Sequence, residues 1–220
     1  MSKFAASQEC RFCAIAGGAL TDAELDSPWM ADENNFALAS VGGLVPGWSL
    51  VLPRNHCLNL GLHLQTDDFL AFVERAVRVV EAKFGRVAIF EHGCTSSSSL
   101  TSCGTAHAHL HIVPVSFDLE QASRSFDADL DWIECPVREI PRVAGEAEYL
   151  FVASAFNGRE TRGMLACLSE GRSQFFRRVI ALHLGRPSEF NYRTHPNRSE
   201  SVRTAEILRA EMNSLKDLAA

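Results

Sequence analysis

No stretch of the sequence is apolar for long enough to span a membrane. Residues 1–30 carry no charged leader ahead of an apolar run, so neither a transmembrane helix nor a signal peptide is expected. A surplus of positive charge is also missing. Lys and Arg number 21 against 27 Asp and Glu, leaving a net charge of -6 and a pI near 5.7. That balance argues against non-specific attraction to nucleic acid or to a membrane surface, while a small basic pocket for phosphates stays compatible with it. An even count of cysteines is lacking too. There are seven, two of them standing as Cys10-Arg-Phe-Cys13. Without an export signal, this favours reduced thiols and a metal pair over a disulfide framework, and a cytoplasmic setting.

What is present suffices for a sizeable core. With 46% hydrophobic residues, the 220 residues fit one large domain or a domain with an extension. The stretch that organises the rest is Gly104-Thr-Ala-His107-Ala-His109-Leu-His111-Ile-Val-Pro-Val115. Three histidines alternate with small and apolar residues, so on a β-strand they share one face while the opposite face packs on a core. Neighbouring histidines would stand roughly 6.6 Å apart, a spacing that lines a phosphate-sized trough. The blander alternative is a half-buried strand or a surface metal tract. Pro114 should end the strand or mark an edge.

Around this row the pattern is α+β with a largely antiparallel sheet. Cys10-x-x-Cys13 reads as a zinc half-site, a redox pair or chance, and zinc would need two further ligands. Phe36–Ser40 and Trp48–Pro53 read as antiparallel strands joined through Gly42-Gly43 and a turn at Leu44-Val-Pro-Gly47. Thr66 caps a helix whose stripe is Phe69, Phe72, Val73, Ala76, Val80 and Phe84, closed by Gly85. Val87–His92 is a strand, and the serine run that follows it is a mobile loop or a phosphate-contacting lid. Residues 117–144 read as an acidic connecting segment with one short helix. Residues 145–220 form a smaller α+β extension: a hairpin around Asn157-Gly158, a helix capped by Ser173 and a final amphipathic helix.

His107-Ala-His-Leu-His-Ile-Val113 resembles the signature of the histidine triad superfamily of nucleotide hydrolases and transferases. Leu44-Val-Pro-Gly47, with Leu50-Val-Leu-Pro-Arg-Asn-His56, is similar to that family's preceding hairpin. Cys10-Arg-Phe-Cys-Ala-Ile15 is similar to the start of its zinc-containing branch. The resemblance covers residues 8–116, about half of the chain, and implies a catalytic, nucleotide-binding domain over residues 1–116.

The resemblance implies roles residue by residue. His109 matches the nucleophile that attacks an α-phosphate to give a nucleotidyl-histidine, and a neutral imidazole suits that task near pH 7. Its other ring nitrogen should donate to a backbone carbonyl. His111 matches the residue that contacts the non-bridging oxygens, with backbone N–H groups around Gly104 and Thr105 assisting. Cys10, Cys13, His56 and His107 correspond to a closed, structural zinc site. Asn35, Phe36 and Ser40 resemble positions lining the base and ribose. Before the triad the family carries Gly-Gln-Ser/Thr-Val, whereas this chain has Cys103-Gly104-Thr105-Ala106, so the glutamine's leaving-group contact is not carried over. Glu91 and His92 on the adjacent strand either reach the site from beside it or form a surface pair. The implied substrate is a dinucleoside polyphosphate-like anhydride or a phosphoramidate, and the implied assembly a homodimer, with no nucleic-acid or membrane partner. The alternative is a nucleotide-binding regulatory or zinc-stabilised interaction protein with little turnover.

Overall fold

The structure, a computed structural model, describes residues 10–101 and 106–219. Its strands are β1 (Met30–Ala31), β2 (Asn35–Ala39), β3 (Ser49–Pro53), β4 (Val87–Gly93), β5 (Leu110–Pro114), β6 (Trp132–Pro136), β7 (Glu148–Ala153) and β8 (Arg162–Leu168). The helices are α1 (Arg11–Ala16), α2 (Asp67–Phe84), α3 (Leu119–Phe126), α4 (Ile140–Ala144), α5 (Phe175–His183) and α6 (Arg198–Ala219). The strands form one sheet in the order β1-β2-β3-β5-β4-β7-β8-β6, with every neighbouring pair antiparallel. The fold is α+β. Among the described residues, no helix is long and apolar enough to cross a membrane.

Local chemistry explains the main elements. The turn before β3 places Gly47 at φ +83°, the left-handed value that the position after Pro46 demands. Thr66 caps α2 by accepting from the Phe69 N–H, and Asp67 and Asp68 sit at the positive end of its dipole. The buried stripe of α2 packs on the sheet face that carries Val51, Ile89, Leu110 and Ile112. Burying each large apolar side chain there contributes about 1.5–3 kcal/mol.

The opposite face is covered in two pieces, and this arrangement creates the site. Phe12 and Ile15 of α1 pack on Phe36, Leu38, Leu50 and Leu52 of β2 and β3. Phe175, Phe176, Val179 and Ile180 of α5 pack on Phe90, Leu150 and Val152 of β4 and β7. The start of β5 lies between the two covers.

Several expectations are corrected. The ladder of β5 begins only at Leu110, so His107 and His109 stand in the lead-in to the strand. There Ala108 N–H donates to Cys57 at 2.8 Å, and the histidines turn to other partners. β7 pairs with β4, so the strands of residues 145–220 continue the sheet begun by residues 1–116. Without β7, β4 would present a row of unpaired backbone groups. Residues 117–144 hold α3, β6 and α4 rather than one short helix, because an acid serves as a cap there: Asp118 accepts from the Gln121 N–H. The cap position of α5 is Gln174, at φ +52°, not Ser173.

Candidate active site and metal centre

A cavity opens on the sheet face between α1 and α5. It encloses about 680 Å³, open solvent at its mouth included. His107, His109 and His111 all line it, although only His111 lies on the β5 ladder itself. Phe12 closes one side, its ring 5.8 Å from the rings of both His107 and His109. Ser40, Val41 and Leu50 line the wall from β2 and β3, Arg177 the wall from α5, and His92 and Tyr192 complete it.

Hydrogen bonds fix the tautomers of two histidines in opposite senses. His109 Nδ1 lies 2.8 Å from the carbonyl oxygen of His107. A carbonyl only accepts, so Nδ1 carries the proton and Nε2 is a bare lone pair. At His111 the indole N–H of Trp48 donates to Nδ1 at 2.9 Å. Nδ1 is therefore the acceptor, and the proton of the neutral ring sits on Nε2. The two rings stand 4.7 Å apart. One cavity thus sets a nitrogen nucleophile or base beside an N–H donor.

Burial keeps these rings neutral. It pushes His109 below the ordinary imidazole range, and the bond to the His107 carbonyl only partly opposes it. His111 is held well below that range by burial first, and then by its electrostatic coupling to the neighbouring His109 and His92 rings and to the Arg177 cation. Phe90 stacks on His111 with centroids 4.2 Å apart, which closes the apolar side of the ring. His92 is pushed down to about 3, again mainly by burial.

His56 and His107 belong to a cluster of side chains that could hold a metal ion. Cys10, Cys13, His56 and His107 each offer a ligand atom, and these atoms lie within 4.8 Å of one another. Cys10 Sγ and Cys13 Sγ are each 3.5 Å from His107 Nδ1, and Cys13 Sγ is 3.3 Å from His56 Nδ1. Tetrahedral zinc with ordinary Zn–S and Zn–N bond lengths requires S···N separations of about 3.6 Å, so the donors fit. His107 also has the outer partner such a ligand needs: its Nε2–H donates to the Pro53 carbonyl at 2.9 Å, leaving Nδ1 for the metal. Burial pushes the Cys13 thiol up to about 11, with the Cys10 side chain adding to the effect. A bound dication would invert that balance by holding the sulfur as thiolate. The four residues come from α1 and its cap, the loop after β3 and the lead-in to β5, so a bound ion would tie three segments together.

Not every residue singled out in the sequence reaches this space. Ser40 does. Asn35 instead points to Asp68 of α2, with Nδ2 3.3 Å from the carboxylate, and Phe36 is fully buried in the apolar layer under α1. Gly104 and Thr105 lie outside the described residues. Of the adjacent pair on β4, His92 lines the cavity. Glu91 faces the other way, accepting from Leu60 N–H at 2.6 Å and Tyr149 O–H at 2.8 Å. The alternation of a strand forces that split. None of Ser96–Ser99 lines the cavity.

Three contributors escape the sequence reading. Trp48 stands two residues before Leu50 on the same face, and only its partner reveals its role. Arg177 sits within the apolar stripe of α5, next to Phe176 and three residues before Ile180, and a charge inside such a stripe was a readable signal. Tyr192 follows no periodic pattern.

No family model and no curated protein matches the chain. Among solved structures, it is similar to a Zn-bound histidine triad family protein from Mycobacterium smegmatis. The identity is 22%, covering 50% of this chain and 76% of that one, with a TM-score of 0.38. It is similar to a hypothetical histidine triad nucleotide-binding protein from Sulfolobus tokodaii strain7 at 16% identity, covering 94% of each chain, with a TM-score of 0.41. A third structure, from Streptococcus mutans UA159, shares 23% identity over 54% of this chain and 75% of that one, with a TM-score of 0.42. The solved structures to which this chain is similar thus include histidine triad proteins, the family whose signature its row of histidines resembles.

Proposed function

We propose that the chain is a nucleotide hydrolase or nucleotidyltransferase of the histidine triad type, acting at the α-phosphate through His109. The observation that carries this reading is the pair of opposed tautomers: a bare Nε2 on His109 next to an Nε2–H on His111, in one cavity. The lone pair of His109 Nε2 forms a bond to phosphorus, and the bond from phosphorus to the leaving group breaks, with the electron pair going to that group. The His107 carbonyl, bonded to Nδ1–H, stabilises the positive charge that builds on the imidazole. His111 donates its Nε2–H to a non-bridging oxygen as negative charge develops there. In the second step water or another acceptor attacks phosphorus and gives up a proton, and the N–P bond breaks to restore the lone pair.

The metal reading is zinc held by Cys10, Cys13, His56 and His107 in a closed structural site, supported by the donor set and its spacing. When bound, it supplies rigidity rather than a reacting group, fixing the carbonyl of His107 that orients His109. The same reading carries a cytoplasmic setting, from reduced thiols, and a homodimer, from the family resemblance.

Mass spectrometry of the intact protein, quenched at neutral pH during incubation with a nucleotide panel, tests the proposal. A mass increase of one nucleoside monophosphate is expected, together with its loss in His109→Asn. Turnover by that variant should fall ~10³-fold or more, because the nucleophile acts as part of a unit. Undiminished turnover by His109→Asn, or nucleotide binding with no adduct and no turnover, sinks the enzymatic reading. The latter result points to a regulatory binder.

A further inference from the structure

Two side chains of the cavity take no part in the chemistry above, and both are built for a ligand. His92 follows Phe90 by two residues on β4, and Phe90 pairs with His111. Continuing that antiparallel register by two residues sets His92 across from His109, on the face that carries the triad. Its ring stands 6.0 Å from that of His111 and 5.1 Å from that of Phe176. Its Nε2 is buried and has no hydrogen-bond partner among the described residues. A buried ring nitrogen in that condition is costly, and in a native fold it calls for a partner.

Arg177 stands on the same wall. The residue is 4% exposed, and its guanidinium is aimed by its own framework. Nε–H donates to the Phe190 carbonyl at 2.8 Å, a terminal N–H donates to the Gly42 carbonyl, and Cζ lies 4.9 Å from the centre of the Trp48 ring. Gly42 permits this approach: at φ +70°, any Cβ there would meet Tyr192 at 2.6 Å. The chain from 190 to 201 is strapped over this loop, with Gly42 N–H donating to Pro196 and the Ser201 hydroxyl donating to Ser40. A cation so held keeps its place when a ligand arrives, and in a low-dielectric cavity its attraction for an anion is strong.

We propose that His92 and Arg177 form a second phosphate subsite of this cavity, so that the chain selects nucleotides carrying two or more phosphates over monophosphates. The inference rests on the reading of the cavity as a nucleotide site. One phosphoryl group serves both residues, because its several acceptor oxygens can take an N–H from the imidazole and another from the guanidinium. A leaving group without such oxygens, such as a simple amine, would leave the His92 nitrogen unpartnered. The residues that set this preference come from β4 and α5. The preference therefore depends on residues 145–220 as well as on β4.

Calorimetric titration of the full-length, zinc-loaded protein with matched mono- and diphosphates of adenosine, guanosine, uridine and cytidine tests this. For the best base, the diphosphate should bind at least tenfold tighter than the monophosphate. Arg177→Met and His92→Phe should each reduce that ratio at least fivefold. His92→Phe is the safer variant for folding, since phenylalanine suits a face already holding Phe90 and Phe176, and it decides the matter if Arg177→Met does not fold. Equal affinity of the two nucleotides in the wild type, or an undiminished ratio in a folded His92→Phe, overturns the subsite. A diphosphate preference that both variants lose, with no covalent adduct, upholds the subsite and sinks the enzymatic reading instead. An adduct formed with equal affinities does the reverse, and binding of neither nucleotide sinks both.

Discussion

Replacing Trp48 by Phe isolates the hydrogen bond that sets the tautomer of His111. The indole is buried at 1% exposure, its ring centre 5.9 Å from that of Phe90, and phenylalanine keeps most of that packing. What goes is the N–H that reaches His111 Nδ1 at 2.9 Å. A buried acceptor left without its donor costs about 1–3 kcal/mol. For a chain of this size, about 2 kcal/mol lowers the melting temperature by roughly 4–8 °C. The effect on turnover should be smaller than on stability suggests. Without the indole both neutral tautomers become accessible, yet the Nε2–H form stays populated, so the rate should fall only by about 1.4 kcal/mol or less, within tenfold. His111→Phe removes the donor itself and should cost about 10²–10³-fold, as the loss of an oxyanion donor does. Nitrogen-15 NMR of the histidine rings reads the tautomers directly. The expected spectrum has His109 protonated at Nδ1 and His111 at Nε2, with His111 shifting towards a mixture in Trp48→Phe. A wild-type His111 protonated at Nδ1 would refute the reasoning, because the Trp48 N–H would then face another N–H.

Burial drives the Glu91 carboxyl from 4.5 up to about 7, against the opposing bonds from Leu60 N–H and Tyr149 O–H. The native state therefore holds a proton that the unfolded chain releases earlier. Stability should be full below about pH 4.5, decline as pH rises towards 7, and level off beyond, for a total of at most about 3 kcal/mol. Glu91→Gln should flatten that slope between pH 5 and pH 8 in denaturant titrations, and identical slopes in the two proteins would discredit the buried-acid account. Cys13→Ser should reduce bound zinc from one per chain to less than half and lower stability by about 4 kcal/mol, the scale at which metal loss is felt. Elemental analysis beside a melting curve checks both, and full zinc occupancy in the variant would exclude Cys13 as a ligand.

Local pattern made much of the fold legible. The stripe from Phe69 to Val80, the Thr66 cap and Gly85 bound α2 from sequence alone, because capping and helical period act within a few residues. The 117–144 segment misled because its acids look like a solvated linker, while in the fold Asp118 caps α3. The resemblance places Asn35 and Phe36 beside the nucleotide, whereas Asn35 bonds to Asp68 of α2 and Phe36 packs under α1.

By itself the sequence set three histidines at alternate positions ahead of an apolar run and two thiols at a spacing that suits a zinc half-site, among other readings. It also determined the donor types at Cys10, Cys13, His56 and His107. For His109 the deciding carbonyl lies only two residues away, whereas which nitrogen of His111 bears the proton was decided only by the tertiary structure. The indole that fixes His111 comes from 63 residues away, and the carbonyl that anchors Arg177 from 135 residues away. No period or motif encodes such pairs, because a proton's position on an imidazole follows from whatever group the fold brings to the other nitrogen.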